Sequence, residues 1–179
     1  FKLDYQWKWT YFGMVTTYYI NWQNRTLMEL NFNQILEYQK NRPPYLMIDH
    51  VTKVVPGKSA EGYKFLKNDE WFFKVHWEND PNMPGMLQVE ALVQMCAMSI
   101  FTLDGNKGKT VLLANVNNVK FKKKIIPGDK LNLKTEIKLF KRGIANCYGE
   151  GYVNDDLALK AEFTVVLTEE TQKYISQST

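Results

Sequence analysis

Between Met83 and Leu103 the chain has its longest apolar stretch, and the apolar residues fall on every side of a helix: Met86, Leu87, Val89, Leu92, Val93, Met95, Cys96, Ile100 and Phe101. Pro84-Gly85 marks its start and Gly105 and Gly108 its end, which predicts one long helix over about residues 85–103. A helix that is apolar all round has to be buried on all faces. The remaining chain offers mostly strands to bury it, so an antiparallel sheet must wrap around this helix. A membrane span is the other way to bury such a stretch, but Gln88, Glu90 and Gln94 lie inside it, and a carboxylate in mid-span argues against insertion.

The strand candidates read as Leu46 to Val55, Ala60 to Leu66, Val111 to Ile126, Lys130 to Arg142, Ile144 to Val153 and Leu157 to Leu167. Pro56-Gly57, Lys67-Asn68-Asp69, Pro127-Gly128-Asp129, Gly143 and Asn154-Asp155-Asp156 break the chain between them. Leu27 to Lys40 predicts a short helix that stops before Arg42-Pro43-Pro44. Ahead of it, Tyr5, Trp7, Trp9 and Tyr11, then Val15, Thr17 and Tyr19, alternate with period two, which predicts two short strands with an aromatic face around Phe12-Gly13. The expected organisation is an aromatic-rich extension over residues 1–33, a single domain over 34–170 and a tail over 171–179.

At 179 residues, 45% hydrophobic and 23% charged, the composition is that of a soluble globular domain large enough for a full core. A net charge of +4 is too small to be a nucleic-acid footprint and suits an acidic protein partner. Cys96 and Cys147 form no disulfide framework, which fits a reducing cytoplasm, and a total of two His and two Cys argues against a structural zinc site. Phe1-Lys2-Leu3-Asp4-Tyr5 lacks the basic start and apolar run of a secretory signal.

One of the two histidines, His76, stands fourteen residues before Glu90, with Asp80-Pro81 and Met83-Pro84-Gly85 between them. Glu90 lies on the buried helix with Gln94 four residues later on the same face. A carboxylate there must be hydrogen-bonded, reach solvent or change its proton affinity, and a lone histidine is more often structural than functional. Together the two are a workable general base and general acid. Gly85 adds a backbone N–H at a helix N-terminus, where developing negative charge on a carbonyl oxygen is favoured. These parts suit proton abstraction next to a thioester carbonyl.

The same residues carry a family resemblance. Arg42-Pro43-Pro44-Tyr45-Leu46-Met47-Ile48-Asp49, His76 through Gln94, Val119-Lys120-Phe121-Lys122 to Ile126-Pro127-Gly128-Asp129-Lys130-Leu131, and the strand holding Ala161-Glu162 resemble the 3-hydroxyacyl-(acyl carrier protein) dehydratases of bacterial fatty-acid synthesis. The resemblance spans roughly residues 35–168, and the His-to-Glu spacing is the family's own. It implies the α+β hotdog fold, an antiparallel sheet wrapped around one long buried central helix, in a cytoplasmic enzyme that forms a homodimer or a trimer of such dimers. It implies that His76 is the base, that Glu90 protonates the leaving hydroxyl from the other subunit, that Gly85 holds the oxyanion and that Gln94 orients Glu90. It implies no metal and no organic cofactor, and a substrate carried on acyl carrier protein or coenzyme A.

Val75 stands where the family has Gly, or Cys in its isomerising branch, and bears on the size of the substrate pocket. Trp77 and Glu78 replace the usual Phe and Pro, while the acidic residue at 90 is that of the plain, non-isomerising branch. Lys120, Lys122, Lys123 and Lys124 form a basic run that suits either docking of an acidic carrier protein or protection of a sheet edge. The alternatives to dehydration are a hotdog acyl thioesterase and a non-catalytic acyl-binding module.

Overall fold

A helix without a polar face needs a surface on every side, and one curved sheet supplies most of it. The computed structural model describes residues 28–77 and 79–175. Their order is β1 (Met28–Leu30), α1 (Phe32–Tyr38), β2 (His50–Val55), β3 (Ser59–Phe65), a 3-10 turn (Trp71–Lys74), α2 (Gly85–Phe101), β4 (Val111–Phe121), β5 (Lys130–Lys141), β6 (Ile144–Val153), β7 (Asp156–Leu167) and α3 (Thr168–Ile175). The strands form one sheet in the order β1-β2-β3-β5-β6-β7-β4, antiparallel at every pairing. It wraps α2, which packs against strands across its width, and from Gln88 to Phe101 every helix residue except Glu90 is buried. This is the hotdog arrangement expected from the sequence. No helix among the described residues is long and apolar enough to cross a membrane.

Period-two patterning sets the two faces of the sheet. In β6, Ala145, Cys147, Gly149, Gly151 and Val153 turn inward and Tyr148, Glu150 and Tyr152 outward. Where α2 presses closest, a side chain on the sheet has no room. A Cβ on Gly62 would lie 2.6 Å from the Met95 methyl and 2.1 Å from the His50 carbonyl oxygen. The β5–β6 and β6–β7 hairpins turn on Arg142-Gly143 and Asn154-Asp155, both pairs at positive φ, the conformation that matches the twist of a two-residue hairpin.

The structure departs from the sequence expectations in four places. Leu27 to Lys40 is not one helix: Met28–Leu30 pairs with β2, and Asn31 then starts α1 with a reciprocal cap, its Oδ1 accepting from Gln34 N–H while Gln34 Oε1 accepts from Asn31 N–H. Leu46 to Ile48 is buried but belongs to no strand, because the Gln94 side chain takes the Met47 N–H at 2.7 Å in place of a neighbouring strand. The strand from Val111 stops at Phe121, where the Lys122 and Lys123 N–H groups converge on the single Ala158 carbonyl. After β7, where no element was expected, Thr168–Ile175 form α3. The aromatic strands expected between Tyr5 and Tyr19 lie outside the described residues.

Candidate active site

His76 follows the 3-10 turn directly, and its own N–H closes on the Phe72 carbonyl at 2.9 Å. Phe72 and Phe73 sink into the core and hold the turn down. The imidazole Nδ1 lies 3.0 Å from the Asn82 carbonyl oxygen. A carbonyl only accepts, so Nδ1 carries the proton and, in the neutral ring, Nε2 is left with its lone pair. The Trp77 indole stacks on the same imidazole, with centroids 4.5 Å apart and planes 20° apart.

Gly85 faces His76 across one cavity of about 460 Å3, which Trp77, Asn82, Gln88 and Phe121 also line. Gly85 is the first residue of α2, and no side chain caps that end. Among the described residues nothing takes its N–H, so the helix N-terminus is open for an oxyanion. A Cβ at this position would stand 2.7 Å from the tip of the Phe121 ring, which would have to shift to admit it. Lys122, Lys123 and Lys124 form part of the cavity wall, and Lys120 precedes them on β4. Lys123 pairs with Asp156 at 2.8 Å and Lys124 pairs with Asp80, whereas Lys120 and Lys122 have no ion partner among the described residues.

Glu90 is held differently. One oxygen accepts from Gln94 Nε2 at 2.8 Å, and the same amide donates to the Tyr45 carbonyl at 2.9 Å while its oxygen takes the Met47 N–H. Every polar atom of the Gln94 side chain is therefore engaged. Partial burial and, second, the charge of Glu90 raise the Tyr45 phenol above its ordinary pKa. Glu90 opens onto a separate cavity of about 290 Å3 that follows one face of α2 past Val93 and Ala97 to Phe101, with β4 on its far side.

Within one chain, then, His76 and Gly85 share a cavity, Glu90 and Gln94 share another, and the two cavities are distinct. Val75 lines neither, its side chain being 75% exposed. Sequence reasoning did not single out the Asn82 carbonyl, the Trp77 stack or Gln88. Gln88 is buried, donates to the Met83 carbonyl at 2.8 Å and leaves its Oε1 without a partner. A glutamine in an all-apolar helix was the visible signal for it. Nothing in a sequence marks a backbone carbonyl as the partner of a histidine.

Residues 40–162 match the family model described as FabA-like domain. A 3-hydroxyacyl-(acyl-carrier-protein) dehydratase FabZ of Clostridium acetobutylicum is 39% identical over 140 residues, 78% of this chain and 99% of that protein. A FabZ of Bacillus velezensis is also 39% identical over 140 residues, again 78% of this chain and 99% of the relative. Among solved structures, an uncharacterized protein of Pyrococcus horikoshii superposes with a TM-score of 0.57 at 15% identity, covering 73% of this chain and 91% of its own, a likeness of fold.

Proposed function

The chain belongs to the FabA-like family, beside its FabZ dehydratases, and on that premise we propose that it removes water from a 3-hydroxyacyl thioester on acyl carrier protein, leaving the trans-2-enoyl thioester. His76 Nε2 takes the C2 proton, and the electrons of that C–H bond move toward the thioester carbonyl, whose oxygen rests on the Gly85 N–H. The electrons then return to form the C2–C3 double bond as the C3–O bond breaks. Glu90 delivers its proton to the departing hydroxyl, which leaves as water. Proton exchange from His76 back to Glu90 resets the pair, so the cycle balances with no cofactor.

The observation that carries this reading is the Asn82 carbonyl on Nδ1, which leaves the basic nitrogen of His76 without a partner among the described residues, in a side chain that lines the same cavity as the open end of α2. That Glu90 lines a different cavity from His76 supports a reading in which the acid serving a given His76 comes from a second copy of the chain. Two features support such a homodimer. Among the described residues β4 is a sheet edge with no neighbour on its outer side and with Leu112, Leu113 and Phe121 exposed, and Val75, Trp77 and Met86 expose large apolar surface as well. The groove from Glu90 to Phe101 suits the acyl chain, and Lys120 and Lys122 suit the acidic surface of a carrier protein.

The test is mass spectrometry of a short-chain 3-hydroxyacyl carrier protein incubated with the enzyme and with His76→Ala. Loss of one water is expected with the wild type, and a rate lower by about 10²–10⁴-fold with the variant. Release of the free carrier thiol would instead make the chain a thioesterase, and full activity in His76→Ala would remove the base from the scheme.

A further inference from the structure

Five non-glycine residues among those described have positive φ. Asn118, Asn154 and Asp155 are of the types that tolerate the left-handed region, and Arg142 sits in a two-residue hairpin turn. Trp77, at φ +62, has neither reason. A bulky aromatic residue in this region is strained, and within one chain burial does not hold it there, because the residue is 59% exposed. The conformation does one visible thing. It reverses the chain after His76, with the Trp77 carbonyl accepting from the Asp80 N–H at 3.0 Å, while the indole lies over the imidazole 4.5 Å away. Strain of this kind collects at functional sites.

The imidazole needs such a neighbour. The second side-chain torsion of histidine has a broad, shallow preference, and one hydrogen bond to the Asn82 carbonyl leaves the ring able to rock. We propose that Trp77 is a positioning residue for the base: the indole, set by its left-handed backbone, clamps the His76 ring so that Nδ1 keeps the Asn82 carbonyl and Nε2 faces the substrate. This inference rests on the reading of His76 as the base of a dehydratase.

The experiment uses the full chain carrying Trp77→Gly, Trp77→Asn or Trp77→Phe. It reads kcat, KM, Tm and the histidine ring-proton resonances. Only two histidines are present, and His50, stacked on Tyr63 with centroids 5.4 Å apart, serves as the internal control. Glycine and asparagine accept positive φ, so those two variants should melt no lower than the wild type. Their kcat should fall by about tenfold or more with KM little changed, as for a misplaced catalytic group. The His76 ring protons, shielded by the indole in the wild type, should move downfield while those of His50 stay in place. Trp77→Phe keeps a ring and should restore most of kcat.

Full kcat in Trp77→Gly, or His76 resonances that do not move, would overturn the proposal. A raised KM at constant kcat would also overturn it, reducing the indole to a wall of the pocket. A wild-type chain that dehydrates no hydroxyacyl thioester would break the dehydratase reading alone, since the ring-proton shift still decides whether Trp77 holds His76.

Discussion

The two members of the proposed catalytic pair are held by opposite means. Glu90 sits on the helix that forms the core, and its orienting residue Gln94 is tied at every polar atom to Met47, Tyr45 and Glu90 itself. His76 sits on the chain between a 3-10 turn and the start of α2, with one ring hydrogen bond and one exposed aromatic neighbour. The acid thus inherits its position from the global fold, and the base from a short local segment. Loosening the fold should move both, whereas local changes near His76 should alter activity at little cost in stability.

The largest effect belongs to the anchor of the base's segment. Lys64 on β3 is only 6% exposed and bridges Asp49 at 3.1 Å and Glu70 at 2.8 Å, Glu70 being the residue that precedes the 3-10 turn. Asp49 in turn accepts from the Phe65 N–H at 2.8 Å. Removing the one cation leaves two partly buried carboxylates without their shared partner, so Lys64→Met should cost about 3 kcal/mol in urea unfolding. It should also lower kcat by releasing the turn that leads to His76. A loss under about 1 kcal/mol would place this trio with ordinary surface pairs and take away the base's link to the sheet.

A smaller effect is expected on the acid's side. Gln94→Leu strips the buried Met47 N–H of its acceptor and the partly buried Tyr45 carbonyl of its donor, which should cost about 2 kcal/mol. The same variant should reduce activity through Glu90 while the His76 ring-proton resonances remain where they are. If they shift, the two halves are coupled through α2, and the contrast between them fails.

The sequence disclosed these halves unequally, for a physical reason. Periodicity and punctuation report on burial, so the helix from Gly85, the strand over Ile144 to Val153 and the turns at Gly143 and Asn154-Asp155 were all legible. So was the i to i+4 placement of Glu90 and Gln94, which depends only on the helical repeat. The segment around Leu46 to Ile48 misled because it is apolar like a strand, yet its backbone hydrogen bond goes to a side chain forty-seven residues away. The setting of His76 was illegible for a similar reason: a backbone carbonyl, a strained φ and a ring stack leave no composition signal.

The outer face of the sheet belongs to neither half and supplies the control. There Glu150 accepts from the Tyr148 hydroxyl at 2.5 Å and the Tyr152 hydroxyl at 2.6 Å, with Lys134 over the Tyr152 ring. The Tyr148 hydrogen bond first, then that of Tyr152, hold the Glu150 carboxyl below its ordinary value of 4.5. The same bond, with burial, pushes the Tyr148 phenol from 10.0 up to about 12. A depressed carboxyl contributes stability that is present above its unfolded pKa and lost as pH falls through the folded one. A raised phenol contributes stability that is present below its unfolded pKa and lost as pH rises toward the folded one. The two shifts describe one interaction, so the difference between wild type and Tyr148→Phe should be full between pH 4.5 and 10.0 and shrink on both sides. On the plateau it should be about 1 kcal/mol, since the hydrogen bond is charge-assisted but only partly shielded from water. Dehydration should proceed at the wild-type rate throughout. A pH-independent difference would remove the bond from the stability of the fold. A fall in kcat would show that the sheet transmits strain to the cavities, and the acid and the base would then depend on the same scaffold after all.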